Sequence, residues 1–323
     1  MNELIEATNL DCAQALREFI SDGHDVAYFI GSGLSQQTYP SWRALVTRIS
    51  TYFQDHAPAA PAVAIPTPEK IDAMVPSDLQ DIFQRFRESD AHTYIDCIRE
   101  VFGMPPLLHN DCLIKILETR PTLIATINFD PAIEAAADVC HVKIASRFFP
   151  TFWYDRQDQD NVPVVMHVHG MFHEQLYDDP DRLILHRSGY RRWYDEGDKV
   201  LFQLLSNIFL GHDVVFIGTS LSEAEMESFF RAFRKLRETS RNSRKQIALL
   251  PSKAKPDVAQ TDQFIRIVRE EQALDRTDGE KTGIKRVRFF SKGNNYLGLH
   301  EVLSKALGQK IVAPEPKPFW NEI

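Results

Sequence analysis

The feature that most constrains this chain is an alternation. Short apolar runs rich in β-branched residues occur at 26–30, 122–126, 142–146, 162–169, 213–218, 245–250 and 286–290. Longer amphipathic segments lie between them, at 10–22, 41–53, 198–210, 223–238, 257–271 and 297–307. Short runs that stay apolar suit strands covered on both faces, and the amphipathic segments supply the cover. The expected fold is therefore α/β, a doubly wound Rossmann-like parallel sheet. The helical reading is specific in places. Trp42, Leu45, Val46 and Ile49 share one face of a segment for which Ser41 is the N-cap.

Two stretches interrupt the alternation. Residues 56–68 are rich in Pro and Ala and read as a connector. Residues 77–118 hold three helical patterns and no strand pattern, so they read as an inserted helical layer. Residues 1–310 are expected to form one domain, and 311–323, with three prolines, an extended C-terminal tail.

Composition excludes several classes. The net charge of −8 argues against a broad nucleic-acid surface, so direct nucleic-acid binding is not expected. The four cysteines, Cys12, Cys97, Cys112 and Cys140, lack metal-ligand or redox spacing and read as reduced thiols of a cytoplasmic protein. No apolar run reaches the roughly 18 residues of a membrane span. The opening MNELIEATNLD has no basic region ahead of an apolar core, so no secretory signal is expected there.

Four strand ends carry the polar residues that matter. The first run ends in Gly31-Ser32-Gly33, where glycines suit close approach of a phosphate to the backbone, or simply a tight strand-to-helix turn. A dinucleotide fingerprint would place a third glycine at Gln36 and an acidic ribose partner about 20 positions on. The third glycine is not found, which argues against a dehydrogenase. The second run leads into Asn128 and Asp130, spaced to point the same way in an extended segment. Asp130 before Pro131 reads as an N-cap, but Asn128 has no such explanation.

The fourth run ends in His167, His169 and Gly170, and the two histidines are expected to share one face. They read as a metal pair aided by His173 and His186, as two structural histidines, or as one catalytic histidine with Gly170 leaving room for substrate. The fifth run ends in Gly218-Thr219-Ser220, placed to hold a phosphate or ribose at a helix start. Ser222 and Glu225 there also form a capping-box pattern.

Taken in order, these segments resemble the sirtuin-like (SIR2-like) superfamily, and its bacterial defence branch more closely. Gly31-Ser32-Gly33-Leu34-Ser35 is similar to the family's GAGxS loop, and Pro40-Ser41-Trp42-Arg43 to the Pro-Asp-Phe-Arg stretch after it. Asn128-Phe129-Asp130, His169-Gly170 and Gly218-Thr219-Ser220 match the family's later elements. The resemblance runs from about residue 25 to 305. Sirtuin deacylases carry a zinc ribbon of two CxxC pairs, whereas no cysteine follows Cys140 here, so no zinc ribbon and no metal are expected.

The resemblance implies an NAD+ nucleosidase with NAD+ as substrate rather than as recycled cofactor. It implies roles for Asn128 on a ribose hydroxyl or the attacking water, for His169 as base with His167 in reserve, and for Asp130 on the nicotinamide carboxamide. Gly31, Ser32, Gly33, Ser35 and Arg43 would lie along the pyrophosphate, and Gly218, Thr219 and Ser220 by the adenosine ribose. In the defence branch such proteins deplete NAD+ to stop phage replication. That implies gating by a partner protein encoded nearby or by homo-oligomer assembly, with the basic stretch 231–245 as a docking candidate. A zinc-free deacylase, an ADP-ribosyltransferase and a non-catalytic NAD or ADP-ribose sensor are the alternatives.

Overall fold

The computed structural model describes residues 2–21, 25–35, 38–56, 66–103, 110–148, 162–172, 183–195, 200–219, 221, 224–240, 244–254, 261–291 and 295–308. Among them β1 (Val26–Ile30), β2 (Leu123–Thr126), β3 (Ala145–Phe148), β4 (Val164–His167), β5 (Asp213–Ile217), β6 (Gln246–Pro251) and β7 (Lys285–Phe289) form one seven-stranded sheet. Its order is β3-β4-β2-β1-β5-β6-β7, and every neighbouring pair is parallel. From β1 the chain goes to β2 on one side and later returns to β5 on the other. In such a sheet, ligands bind at the carboxyl ends of the strands where the order reverses, which here is between β1 and β5.

Strand side chains divide between two apolar layers. Tyr28, Ile30, Ile124, Val165, Val215 and Ile217 enter one; Ala27, Phe29, Leu123, Met166, Val214 and Phe216 enter the other. Both faces of the central strands are therefore dry, which is why those runs read as continuously apolar. The first layer is completed by α1 (Asn2–Ser21), α2 (Trp42–His56), α4 (Pro76–Ser89), α5 (Ala91–Phe102), α6 (Asp111–Glu118), α7 (Ala132–Val139) and α12 (Asn295–Leu307). The second draws on α9 (Val200–Gly211) and α10 (Ala224–Ser240). Phe209 of α9 packs against Phe29, Phe216 and Phe230. Truncating such a ring to alanine costs about 3–5 kcal/mol.

Between α2 and β2 the described residues contain helices only: α3 (Pro68–Ala73), α4, α5 and α6. Local chemistry starts two of them. Asp90 accepts amide hydrogens from His92 and Thr93 at the head of α5, and Asn110 accepts from Leu113 at the head of α6. α3 occupies part of what reads as connector, with Pro68 at its first turn. The strand expected at 142–146 starts at Ala145 instead, because the Val142 amide is used to close the end of α7 on Ala137 O at 2.9 Å. The helix expected at 257–271 runs on as α11 (Thr261–Thr282). Arg288 and Arg286 of β7 hold that extension through Asp275 and Asp278.

Candidate active site

The first loop is built against the fifth strand. Gly31 N donates to Ile217 O at 2.9 Å, and Gly33 N to Gly218 O at 2.8 Å. A Cβ at Gly31 would lie 2.6 Å from Gly218 O, and one at Gly33 would lie 2.8 Å from the same atom. Gly218 has φ +72°, and a Cβ there would strike Leu34 Cδ1. These glycines let two backbones touch. The amides of Gly31 and Gly33, expected along a pyrophosphate, are donated to the end of β5 and to the loop after it. Thr219 Oγ1 accepts from Leu221 N at 3.3 Å. Ser220, Gln36 and His173 lie outside the described residues, as do Ser222 and the Glu225 side chain.

From Gly31 the chain makes a 3-10 turn, Ser32–Leu34, closed by Ser35 N on Ser32 O at 3.0 Å. Asn110 holds this turn from the helical layer by donating Nδ2 to Leu34 O at 2.6 Å. The turn aims Ser35 at the loop after β2. Ser35 Oγ lies 2.8 Å from Asp130 Oδ2, and Asn128 Nδ2 lies 3.2 Å from Ser35 Oγ. Asn128 and Asp130 thus converge on one hydroxyl, as their spacing suggests. Asp130 Oδ1 accepts from Ala132 N at 3.1 Å, so the carboxylate also starts α7, one residue later than expected because Pro131 is the cap itself. Burial raises its pKa to about 6 against the opposing pull of Ser35 and the Ala132 amide.

Asn128 is held at its backbone too. Its N–H donates to Thr126 Oγ1 at 3.1 Å, and the Thr126 hydroxyl donates to Ile30 O at 2.9 Å. The side chain keeps one atom spare: Asn128 Oδ1 is buried with no hydrogen-bond partner among the described residues. A buried acceptor left in this state costs about 1–3 kcal/mol, and a ligand donor can satisfy it.

The two histidines do not share a face. β4 ends at His167, and Val168 and His169 form a turn, so the strand alternation stops before His169. His167 faces α7, with Nε2 3.0 Å from Glu134 Oε1 and Nδ1 3.0 Å from Asn128 O. His169 enters the other layer. Its Nε2 lies 2.7 Å from the Tyr194 hydroxyl, and its ring packs edge-on to Tyr190 and Tyr194. Both histidines are fully buried. Burial alone pushes the His169 pKa down to about 3.

Residues 122–272 match the family model of the SIR2-like domain. The matched stretch contains Asn128, Asp130, His169 and the Gly218 turn, and the sheet register brings the earlier Gly31–Ser35 loop onto it. No curated protein sequence matches the chain. A solved structure described as "Structural Basis for the Mechanism and Regulation of Sir2 Enzymes" aligns over 93% of this chain and 97% of its own at 12% identity and a TM-score of 0.40.

Arg43 is not brought to the cluster of Ser35, Asn128 and Asp130. Its guanidinium donates to Ile71 O and Met74 O at the end of α3. His186 is engaged locally, its Nδ1 accepting from Gly189 N at the start of α8 (Arg187–Tyr190). Among the described residues there is no group of three or more His, Cys, Asp or Glu that could hold a metal, and no helix long and apolar enough to cross a membrane.

Sequence reasoning missed Glu134, Tyr190, Tyr194 and Asn110. Glu134 was open to detection, being the acid among the alanines of AIEAAADV four residues beyond Asp130. The tyrosines were not, because their spacing of four runs through a π-type turn, Arg191–Asp195, that no periodicity announces.

Proposed function

We propose that this chain hydrolyses NAD+ to nicotinamide and ADP-ribose. The observation that carries the reading is the spare Asn128 Oδ1, buried beside Ser35 and Asp130 at the carboxyl ends of the central strands. It is an acceptor waiting for a hydroxyl or water donor, next to the crevice where SIR2-like proteins are expected to take a dinucleotide. The SIR2-like match over 122–272 supports NAD+ as the ligand class.

Nicotinamide leaves as a neutral ring with the electrons of its C–N bond, so no acid is needed to protonate it. Water adds to the ribose carbon and releases one proton. The transition state is oxocarbenium-like, so positioning and charge stabilisation dominate. Asn128 would hold the water or a ribose hydroxyl, and Asp130 the carboxamide of nicotinamide. His169 would accept the proton. Burial keeps its imidazole neutral but with a pKa of about 3, too low for a base near pH 7, so ligand entry must both loosen the Tyr194 hydroxyl from Nε2 and give the ring a more polar setting. Ser32, Gly33 and Ser35 would border the pyrophosphate, with Gly218, Thr219 and Ser220 on the adenosine side.

Unregulated loss of NAD+ would harm the producing cell. Following the resemblance, we assign the chain a cytoplasmic role as a partner-gated effector of anti-phage defence, organised as one domain over 1–310. The test is chromatographic. The purified chain, alone and with the proteins encoded by adjacent genes, is incubated with NAD+, and nicotinamide is measured. Release that falls about 10²-fold in Asn128→Ala supports the reading. Release that needs an added acceptor makes the chain a transferase or deacylase. NAD+ binding without release makes it a sensor.

A further inference from the structure

We propose that His167 is held as an imidazolium cation and serves as a positioning residue that fixes Asn128, not as a base. Both ring nitrogens face acceptors. Nδ1 lies 3.0 Å from the carbonyl oxygen of Asn128, which can only accept. Nε2 lies 3.0 Å from Oε1 of Glu134, which accepts when ionised. A neutral imidazole has one N–H and leaves one contact without a hydrogen, whereas the cation satisfies both.

The surroundings agree. Glu134 Oε1 also takes the Ser146 hydroxyl of β3 at 2.6 Å, as an ionised carboxylate would. Burial works to lower the His167 pKa, but the Glu134 carboxylate, its hydrogen bond and the Asn128 carbonyl reverse this, and the net direction is up, with Asp130 adding to it at longer range. Glu134 moves the opposite way: burial raises it, and His167 and Ser146 bring it below its ordinary value. The groups facing His167 are therefore Glu134 from α7, with Ser146 behind it, and Asn128 and Asp130 from the loop after β2.

The consequence lies in Asn128. Thr126 takes its amide hydrogen, and His167 donates to its carbonyl oxygen. With both backbone groups clamped, the side chain is delivered to Ser35 with Oδ1 free. The charge makes the second clamp strong, since a bond from a charged donor is about twice as strong as a neutral one. The catalytic consequence rests on the NAD+ reading, but the protonation state and the clamp do not.

Two measurements decide the matter. Multiple-bond nitrogen NMR of histidine-labelled full-length protein reads the ring directly. At pH 7.5 His167 should show two protonated nitrogens, and Glu134→Gln should convert it to a one-proton pattern near pH 7.5. Hydrogen exchange of the Asn128 side-chain amide should speed up at least about tenfold in His167→Phe, with Glu134→Gln in between. Where NAD+ is turned over, His167→Phe should lower kcat at least about tenfold with KM within about threefold, and Glu134→Gln should bring the alkaline loss of kcat to lower pH. A neutral His167 in the native protein, or unchanged Asn128 exchange in both variants, overturns the proposal. Absence of nicotinamide release from the native protein overturns the functional reading alone, because the NMR results stand without it.

Discussion

Ser35 Oγ lies 2.8 Å from Asp130 Oδ2, tying the loop after the first strand to the loop after the second across 95 residues of chain. The same hydroxyl is met by Asn128 Nδ2, so one oxygen sets the spacing of both polar side chains. Ser35→Ala should leave a folded but less stable protein, since a hydrogen bond to a charged group contributes about 1.5–3 kcal/mol. It should nevertheless reduce nicotinamide release at least about tenfold, mainly in kcat, because Asn128 and Asp130 lose their common anchor. Steady-state kinetics beside a melting curve checks both halves. Unchanged kcat in a folded variant would remove Ser35 from the site.

Asp130 is a carboxylate kept in place at a cost to stability. Its folded pKa of about 6 stands above the ordinary 3.8, so the folded state binds protons that the unfolded state has lost, and stability falls as pH rises through that window. Asp130→Asn removes this cost. The variant should gain on the native protein as pH rises from about 4 to 6, and above that hold an advantage on the order of 3 kcal/mol. Denaturant midpoints from pH 4 to 8 measure it. A native protein more stable than the variant at pH 8 would contradict the buried-carboxylate account.

His169 has the opposite linkage to acid. Its folded pKa of about 3 lies below the ordinary 6.5, so the unfolded state takes up a proton first, and stability declines as pH falls from 6.5 toward 3. His169→Phe deletes that proton. Whatever its stability at pH 7, the variant's acid slope should be shallower by about 1.4 kcal/mol per pH unit in mid-window. Parallel slopes for the two proteins would show that the imidazole is not sealed. The same variant should lose nicotinamide release if His169 is the base.

The exposed side of α10 offers a test of gating. Lys235 and Leu236 are exposed there, while Arg234 is paired with Glu238. Lys235→Glu should leave the melting temperature within about 1 °C, as surface changes do, yet weaken activation by a partner protein. Activation is read as nicotinamide release against partner concentration. An unchanged activation curve would remove this helix face as the docking surface.

Much of the fold was legible because both faces of the central strands are dry. A strand such as DVVFI or VAYFI leaves no other period to fit, and the observed β5 and β1 match those runs. Boundaries failed where long-range contacts decide them. The extension of α11 depends on arginines of β7, and the start of β3 depends on how α7 ends. In the site, Asn128 stood out because a polar residue after a buried strand needs a reason. The separate fates of His167 and His169 were hidden, since a spacing of two has meaning only while the strand lasts. Arg43 read as a phosphate ligand from its neighbours in sequence, yet two carbonyls at the end of α3 claim it.

The contact between Gly31, Gly33 and Gly218 bears on how this chain can change over time. The two loops lie some 185 residues apart in the chain, yet neither has room for a side chain while the other stays where it is. A methyl group at any one position forces the backbones apart, and a second methyl then meets a gap already opened. Penalties at these sites should therefore fall short of their sum, as coupled positions do. Once one of these glycines is replaced, replacement of another should cost less than it would alone. The loops after β1 and β5 drift as a unit or not at all.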